Sequence, residues 1–188
     1  MTESNNIPVH SECMISYPYG VPDSGYSCGW HTGVDIVPHG QTENYPLLYP
    51  VFNNMEVVAI NTNPNNALGI YVLLYDGTYY WRYCHLRDRT LQVQVGDVLS
   101  KLDAIARMDT TGTNVTGRHL HLECSSSAIW NCNTFVNPCN IMGIPNIDDE
   151  VLDWVPSPVP IERKKHKFNF VLFNRKRRFK WIFFFLLK

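Results

Sequence analysis

Short runs of apolar and β-branched residues, separated by turn-forming residues, dominate the first 145 positions of the chain. The runs MEVVAI and GIYVLLY flank the turn-like stretch NTNPNNAL, and Asp76-Gly77 separates GIYVLLY from TYYWRYCHL. An Asp-Gly pair between such runs is typical of a β-hairpin. Gly96-Asp97 marks a further turn, and the pattern indicates few helices and no internal repeat. We therefore predict an antiparallel β domain over residues 14–145.

The stretch GRHLHLE, residues 117–123, alternates polar and apolar positions. Because side chains alternate across a strand, His119, His121 and Glu123 are predicted to share one face. The residues of the other face, which belong in a core, are Leu120, Leu122 and Cys124. Two imidazoles and a carboxylate on one patch are the kind of cluster that binds zinc. Taken alone, the His-x-His pair also fits surface or packing histidines.

A second candidate cluster lies upstream, in the stretch GWHTGVDIVPHG. Gly33, the β-branched residues and Pro38 favour a strand edge over a helix. In an extended segment, His31 and Asp35 lie on the same face. A carboxylate among apolar neighbours needs a partner, because burying it unpaired is costly. A metal ion would provide that partner, and a solvent-facing loop aspartate is the alternative.

The stretch TYYWRYCHL supplies a third histidine. Strict alternation predicts that Tyr79, Trp81, Tyr83 and His85 share one face of a strand. The residues predicted on the opposite face are Tyr80, Arg82 and Cys84. An aromatic face that ends in a histidine suits a substrate groove and equally suits an aromatic core. Trp30, Trp81 and Tyr83 are our candidates for groove aromatics.

Read in order, HTGVD, YCHL, VGDVLSKLDAIARMDTTGTNVTGRHLHLE and FVNPCN resemble the motifs of the lysostaphin-type, or LytM-like, zinc endopeptidases of peptidoglycan. That family has HxxxD, YxHL, a GD-V turn, a G-x-TG loop and HLH in the same order. The resemblance extends over about residues 14–145. It implies a mainly β fold, with a narrow groove over an antiparallel sheet.

The resemblance implies that His31, Asp35 and His121 bind one zinc ion, whereas His119 and His85 are catalytic and do not bind it. Three protein ligands leave a fourth position for water, whose pKa zinc lowers toward neutrality. His119 is expected to accept the proton of that water. His85 is expected to hydrogen-bond the oxyanion of the tetrahedral intermediate.

Glu123, Arg118 and several cysteines lie near these motifs. Glu123 is expected to orient a metal-binding histidine. Arg118 stands where the family commonly has a proline, and it should face away from the metal. Cys84 and Cys124 are predicted to point away from the histidines, whereas Cys28 stays open as a ligand. The six cysteines include no CxxC pair, so we expect mostly buried free thiols, with room for one bridge.

The formal net charge of −1 conceals a split along the chain. Residues 1–160 contain 6 Lys or Arg against 16 Asp or Glu, whereas residues 161–188 contain 10 against one. Such a basic, aromatic tail suits an anionic cell-wall polymer or a membrane surface, and a disordered solubilising tail is the alternative. The predicted organisation is a leader (1–13), the peptidase domain (14–145), an acidic, proline-rich linker (146–160) and the tail.

These observations predict a zinc endopeptidase that cuts cross-bridges or stem peptides in bacterial peptidoglycan, with no nucleic-acid partner. A non-catalytic wall-binding or regulatory module of the same fold is the alternative, although such modules lose ligands that are intact here. A lipoyl- or biotinyl-type carrier would need a lysine at a tight turn, which Lys101 does not occupy.

The start of the chain, MTESNNIPVHSE, has no readable signal peptide. We therefore expect delivery in a phage virion, release from the host cytoplasm through a holin, or origin as a fragment of a secreted protein. The longest apolar run, WIFFFLL, is too short to cross a membrane.

Overall fold

The chain folds around a large antiparallel sheet. A computed structural model describes residues 6–40, 45–113 and 115–154. Its elements are β1 (Cys13–Tyr17), β2 (Gly33–Pro38), β3 (Leu47–Leu48), β4 (Met55–Asn61), β5 (Tyr71–Tyr75), β6 (Tyr80–Cys84), β7 (Val98–Leu99), β8 (Ala106–Arg107), β9 (Leu120–Ser125), β10 (Phe135–Val136), α1 (Pro138–Met142) and β11 (Val151–Leu152).

The main sheet has the strand order β11-β1-β2-β9-β6-β5-β4-β7, and β10 pairs with the end of β9 beside β2. The short strands β3 and β8 form a second sheet. Every strand pair in the described residues is antiparallel. The predicted mainly β, antiparallel fold is therefore confirmed.

The hairpin between β5 and β6 shows how the sequence specifies this sheet. Gly77 has φ of 97°, a conformation that glycine adopts without strain. The Asp76 carboxylate accepts hydrogen bonds from the backbone N–H groups of Thr78 and Tyr79, and from Trp81 Nε1 at 2.7 Å. The Asp-Gly pair therefore closes the turn and also anchors the first core aromatic of β6.

Strand β9 lies at the centre of the sheet, between β2 and β6. All six of its residues are buried. Leu120, Leu122 and Cys124 belong to the hydrophobic core, as the alternation predicted. The other face of β9 is buried as well, although it consists of polar residues. Buried polar side chains need hydrogen-bonding or charged partners. The polar face of β9 is therefore where we expect the candidate site.

The structure differs from the predicted organisation at both ends of the domain. Ile7 and Val9, inside the predicted leader, are fully buried in the core. Leu152, inside the predicted linker, pairs with Cys13 of β1 and is also buried. One or two apolar residues give no periodic pattern, so the sequence could not reveal these contributions.

The predicted tail and most of the proline-rich segment lie outside the described residues. The chain divides into two units, Met1–Pro158 and Val159–Lys188, and the described residues all belong to the first. Within the described part of the chain, no helix has the length and apolarity that crossing a membrane requires.

A disulfide joins Cys28 to Cys132. It links the loop before β2 to the loop between β9 and β10. The other four cysteines are free and buried, namely Cys13, Cys84, Cys124 and Cys139. Because its sulfur is in the bridge, Cys28 is not a metal ligand. One bridge with buried free thiols agrees with the expected cysteine usage.

Candidate metal centre and active site

The register of β2 against β9 brings two motifs together. Asp35 lies opposite His121, and Gly33 lies opposite Glu123. Directly opposed residues in an antiparallel pair have side chains on the same face. Gly33 is needed for close packing here, because an added Cβ would lie 2.8 Å from His121 Cε1 and 2.6 Å from the Leu122 carbonyl oxygen.

Three side chains converge on this face, and we call His31, Asp35 and His121 the ligand triangle. His31 Nε2 lies 3.1 Å from His121 Nδ1, and Asp35 Oδ1 lies 2.8 Å from that nitrogen and 3.2 Å from His31 Nε2. Zinc bonds of 2.0–2.1 Å in tetrahedral geometry separate donor atoms by about 3.3 Å. The triangle therefore fits a zinc ion in both donor type and spacing.

Groups outside the triangle contact its two imidazoles. His31 Nδ1 donates to the Pro18 carbonyl oxygen at 2.9 Å, so Nε2 presents its lone pair to the other two ligands. His121 Nε2 lies 3.3 Å from Glu123 Oε1, although it is not aligned for a good hydrogen bond. Outer partners of this kind orient metal-binding histidines. The predicted orienting role of Glu123 is consistent with this placement.

Buried opposite charges shift the pKa values of the metal-free protein. Burial opposes ionisation of Asp35, yet the adjacent His121 and His31 imidazoles hold its pKa well below the usual range. Burial likewise opposes protonation of His121, but Asp35 and Glu123 raise its pKa to about 9. His121 in turn helps to lower the pKa of buried Glu123 to about 2. A cation is therefore electrostatically favoured between these carboxylates, as a proton or as a metal.

Two further histidines stand beside the triangle, and we call His85 and His119 the histidine pair. Their ring centroids are 4.7 Å apart, and His119 Nε2 lies 3.6 Å from Asp35 Oδ2. His85 Nδ1 donates to the Thr111 carbonyl oxygen at 2.7 Å, and His119 Nδ1 donates to that of Gly117 at 2.8 Å. Carbonyl oxygens only accept, so each neutral ring presents Nε2 as an acceptor.

His85 reaches the site through its backbone rather than by strand alternation. Its φ is 60°, which is uncommon for a residue other than glycine. Burial and the neighbouring His119 and His121 lower the pKa of His85 to about 4. The ring is therefore neutral near pH 7, and it accepts a proton before it donates one.

The prediction that His85 shares a face with the β6 aromatics is wrong, and of the two alternatives for those aromatics the core holds for Trp81 and Tyr83. Trp81 and Tyr83 are fully buried in the core, opposite Cys124 and Leu122 of β9. The residues of β6 on the same face as the site are instead Arg82 and Cys84, which lie opposite Glu123 and His121. The prediction assumed that His85 continues the strand, whereas its left-handed backbone puts it on the other face. Cys84 therefore does not point away from the histidines.

A groove of about 520 Å³ covers the site. Its aromatic lining consists of Tyr17, Tyr26 and Phe135. None of the predicted groove aromatics lines it, and partly buried Trp30 packs edge-on against Tyr19 and Phe135 instead. Tyr17 stacks on His31, and its hydroxyl donates to Asp23.

Other residues that line the groove had no sequence signal. Tyr26 comes from an irregular loop, and Arg82 depends on a register that a single sequence does not show. Arg118 lies outside the groove, with its guanidinium 3.9 Å from the centre of the Tyr45 ring. That placement agrees with the expectation that Arg118 faces away from the metal.

Comparison with known proteins identifies relatives. Residues 29–138, more than half of the chain, match the model of the family described as peptidase family M23. The catalytic domain of the antimicrobial peptidase lysostaphin from Staphylococcus simulans is 23% identical, with a TM-score of 0.53 over 71% of this chain and 92% of that one.

LytU is 26% identical, with a TM-score of 0.53 over 68% of this chain and 82% of that one. A zinc-containing peptidase from Vibrio cholerae is 23% identical, with a TM-score of 0.53 over 72% of this chain but only 39% of that one. A search of curated proteins found no match. These solved structures have the same fold as the described sheet.

Proposed function

Because the chain belongs to peptidase family M23, as the order of its motifs predicted, we propose that it is a zinc-dependent endopeptidase of bacterial peptidoglycan. The ligand triangle is the observation that supports this most strongly. The triangle offers two nitrogen donors and one oxygen donor at the distances that separate the ligands of a zinc ion. The histidine pair stands beside it and is not part of this ligand set. The lysostaphin catalytic domain and the zinc-containing peptidase from Vibrio cholerae have the same fold.

The triangle would hold the metal through His31 Nε2, His121 Nδ1 and Asp35 Oδ1. When bound there, zinc lowers the pKa of a water ligand and polarises the scissile carbonyl. The protein's own contribution is orientation, because the Pro18 carbonyl oxygen fixes the His31 imidazole and Glu123 Oε1 lies beside His121 Nε2. Asp35 also contributes a second oxygen, which faces His119 Nε2.

The histidine pair would handle the protons of hydrolysis. His119 is the more exposed of the two, and its Nε2 is positioned to accept the proton of the attacking water. His85 also presents an acceptor in its neutral form. To donate to an oxyanion, as the sequence led us to expect, His85 must first gain a proton at Nε2. The two rings are close enough to divide these roles within one cycle.

The test of this proposal combines metal content with the chemistry of the products. Purified protein should contain one zinc per chain and should release new amino groups from peptidoglycan, without new reducing sugar ends. Removal of zinc by a chelator should stop the release, and added zinc should restore it. Binding to peptidoglycan without release of amino groups would favour the non-catalytic module instead.

We also propose that residues 161–188 bind an anionic polymer or membrane surface at the cell wall, on the strength of their 10 Lys or Arg residues and interspersed aromatics. Deleting this segment should weaken binding to cells but leave hydrolysis of a soluble peptide unchanged. Unchanged cell binding would contradict this part of the proposal.

The proposed place of action is the bacterial cell wall, with a phage lysin or a virion tail component as the proposed origin. The Cys28–Cys132 bridge supports action outside the cytoplasm, because disulfides persist in oxidising environments. Addition of the purified protein to intact cells from outside should lower culture turbidity. Lysis only after internal expression would point to release from the cytoplasm.

A further inference from the structure

We propose that Arg82 forms a subsite for a carboxylate of the substrate, about two residues along the peptide from the metal. The inference rests on the proposed peptidase function and specifies which peptides it acts on. Arg82 is the only Lys or Arg among the described residues that line the groove. An anionic group of the substrate would therefore find its cationic partner there.

Arg82 is held in place by a carboxylate of the neighbouring strand. Its Nε donates to Glu123 Oε2 at 2.6 Å, and its Nη2 contacts the same oxygen. Glu123 Oε1 accepts a hydrogen bond from Thr32 Oγ1 at 2.7 Å. Because Glu123 is almost completely buried, this ion pair is shielded from solvent and the guanidinium is fixed in one orientation.

An aromatic ring fixes the guanidinium plane. The Arg82 Cζ atom lies 4.1 Å from the centre of the Trp130 ring and 5.7 Å from that of Tyr71. Trp130 belongs to the loop between β9 and β10 that the Cys28–Cys132 bridge ties down. A stacked and paired arginine loses little conformational freedom when it binds a planar anion.

Donor groups on Arg82 remain for a ligand. Both contacts with Glu123 use one edge of the guanidinium, Nε and Nη2. Among the described residues, none accepts a hydrogen bond from Nη1. The side chain keeps 15% of its surface exposed, at the groove. The Nη1–Nη2 edge is thus available for two parallel hydrogen bonds to a carboxylate.

The position of Arg82 relative to the metal determines where a peptide substrate must carry a carboxylate in order to reach the guanidinium. Glu123, which lies opposite Arg82, follows the ligand His121 by two residues. Two residues of a strand span about 7 Å. An extended substrate bound over the triangle would therefore reach Arg82 about two residues from the scissile bond. Stem peptides contain carboxylates, whereas glycine cross-bridges are neutral, so the subsite favours acidic stem peptides.

The experiment compares two substrates that differ only in charge. The first is a soluble pair of cross-linked stem peptides with free carboxylates, and the second is the same compound with those carboxylates converted to carboxamides. The zinc-loaded full chain should cleave the carboxylate form with a kcat/KM about 10- to 100-fold higher, as expected for hydrogen bonds to a charged group. Pentaglycine should be cleaved no faster than the carboxamide.

Variants assign this preference to Arg82. Arg82→Gln should bring the ratio of the two kcat/KM values close to one, mainly by raising KM for the carboxylate form. Arg82→Lys keeps the positive charge but lacks the two parallel N–H donors of the guanidinium. It should retain part of the preference for the carboxylate form. Arg87→Gln is the matched control, because Arg87 also stacks on an aromatic ring, that of Tyr45, but does not line the groove.

Several outcomes separate this inference from the proposed function. A ratio near one in the wild-type protein, or a ratio that survives in Arg82→Gln, would overturn the subsite while leaving the peptidase intact. Absence of cleavage of every substrate would instead count against the peptidase. Calorimetric binding of the two peptides to zinc-loaded His119→Ala protein, with and without Arg82→Lys, then tests the subsite without turnover, and equal affinity of His119→Ala protein for acid and amide would overturn it.

Discussion

The ligand triangle and the histidine pair place the same side chain in two environments. His31 and His121 are almost completely buried, and each ring directs one nitrogen at Asp35. His85 and His119 are anchored through Nδ1 to carbonyl oxygens of loops, and 17% of the His119 side chain is exposed. Asp35 and His121 are therefore positioned by two paired strands, whereas His31 and both members of the pair are anchored by carbonyl oxygens of loops.

This difference shows how a single residue type can serve two kinds of chemistry. In the triangle, nearby carboxylates attract a cation, and the pKa of His121 rises to about 9. At His85, burial and the neighbouring imidazoles disfavour a positive charge, and its pKa falls to about 4. The triangle is therefore suited to binding a metal, whereas His85 is neutral and able to accept a proton near pH 7.

Removing a ligand from the triangle should have the largest effect. His121→Ala should lose both bound zinc and hydrolysis, because two ligands remain and the buried carboxylates lose their partner. Zinc content by metal analysis and release of amino groups from peptidoglycan are the measurements. His39→Ala is a matched control, since His39 pairs with Glu12 outside the groove. Continued digestion by His121→Ala would show that the ligand assignment is wrong.

Removing a member of the pair should separate turnover from metal binding. His119→Ala should keep its zinc but lose about 10²- to 10⁴-fold in kcat, the usual contribution of a general base. Metal analysis and steady-state kinetics on a soluble peptide check this in one preparation. Full turnover in this variant would exclude His119 as the base, and loss of zinc would place it among the ligands.

The pH dependence of zinc binding should report the proton that the metal displaces from His121. Since the pKa of His121 is raised from 6.5 to about 9 in the metal-free protein, that proton stabilises the fold fully below pH 6.5. The stabilisation is lost as the pH rises through 9.

The melting temperature of metal-free protein should therefore fall between pH 6.5 and 9. The apparent zinc affinity should rise about tenfold per pH unit over that window, because each zinc displaces one proton. Thermal melts of metal-free and zinc-loaded samples at several pH values measure both effects. A zinc affinity independent of pH in this window would mean that His121 binds no extra proton.

The smallest effects should come from removing the threonine hydroxyl groups that support the ligand triangle and the histidine pair. Thr32 donates to Glu123, whereas Thr111 Oγ1 donates to the Leu86 carbonyl oxygen and accepts from Ile70 N beside His85. Thr32→Val should weaken zinc binding about tenfold with little change in kcat at saturating zinc. Thr111→Val should lower kcat several-fold at unchanged zinc affinity. If Thr32→Val and Thr111→Val changed zinc affinity and kcat to the same extent, the ligand triangle and the histidine pair would not have separate functions.

Much of the sheet could be predicted because its signals are local. Alternation in residues 119–124 assigned both faces of β9 correctly, and the Asp-Gly turn marked the β5–β6 hairpin. The short strand at Val151–Leu152 could not be predicted, because two residues contain no period and depend on a distant partner.

The site was predictable in its residues but only partly in its surroundings. The motif order predicted that His31, Asp35, His85, His119 and His121 lie together, as they do, whereas their roles as ligands and catalytic residues stay predictions. His85 was placed on the wrong face relative to Trp81 and Tyr83, because its left-handed backbone breaks the alternation of β6. Arg82, Tyr17 and Tyr26 were missed, since cross-strand register and loop conformation decide what lines the groove.

The Cys28–Cys132 bridge turns the intervening chain into a closed covalent ring. All members of the triangle and of the pair lie inside this ring, and so does the exposed loop at residues 62–65. A protease that cuts that loop would open the ring without separating the pieces. The nicked molecule would remain one covalent species with all its site residues until the bridge is reduced.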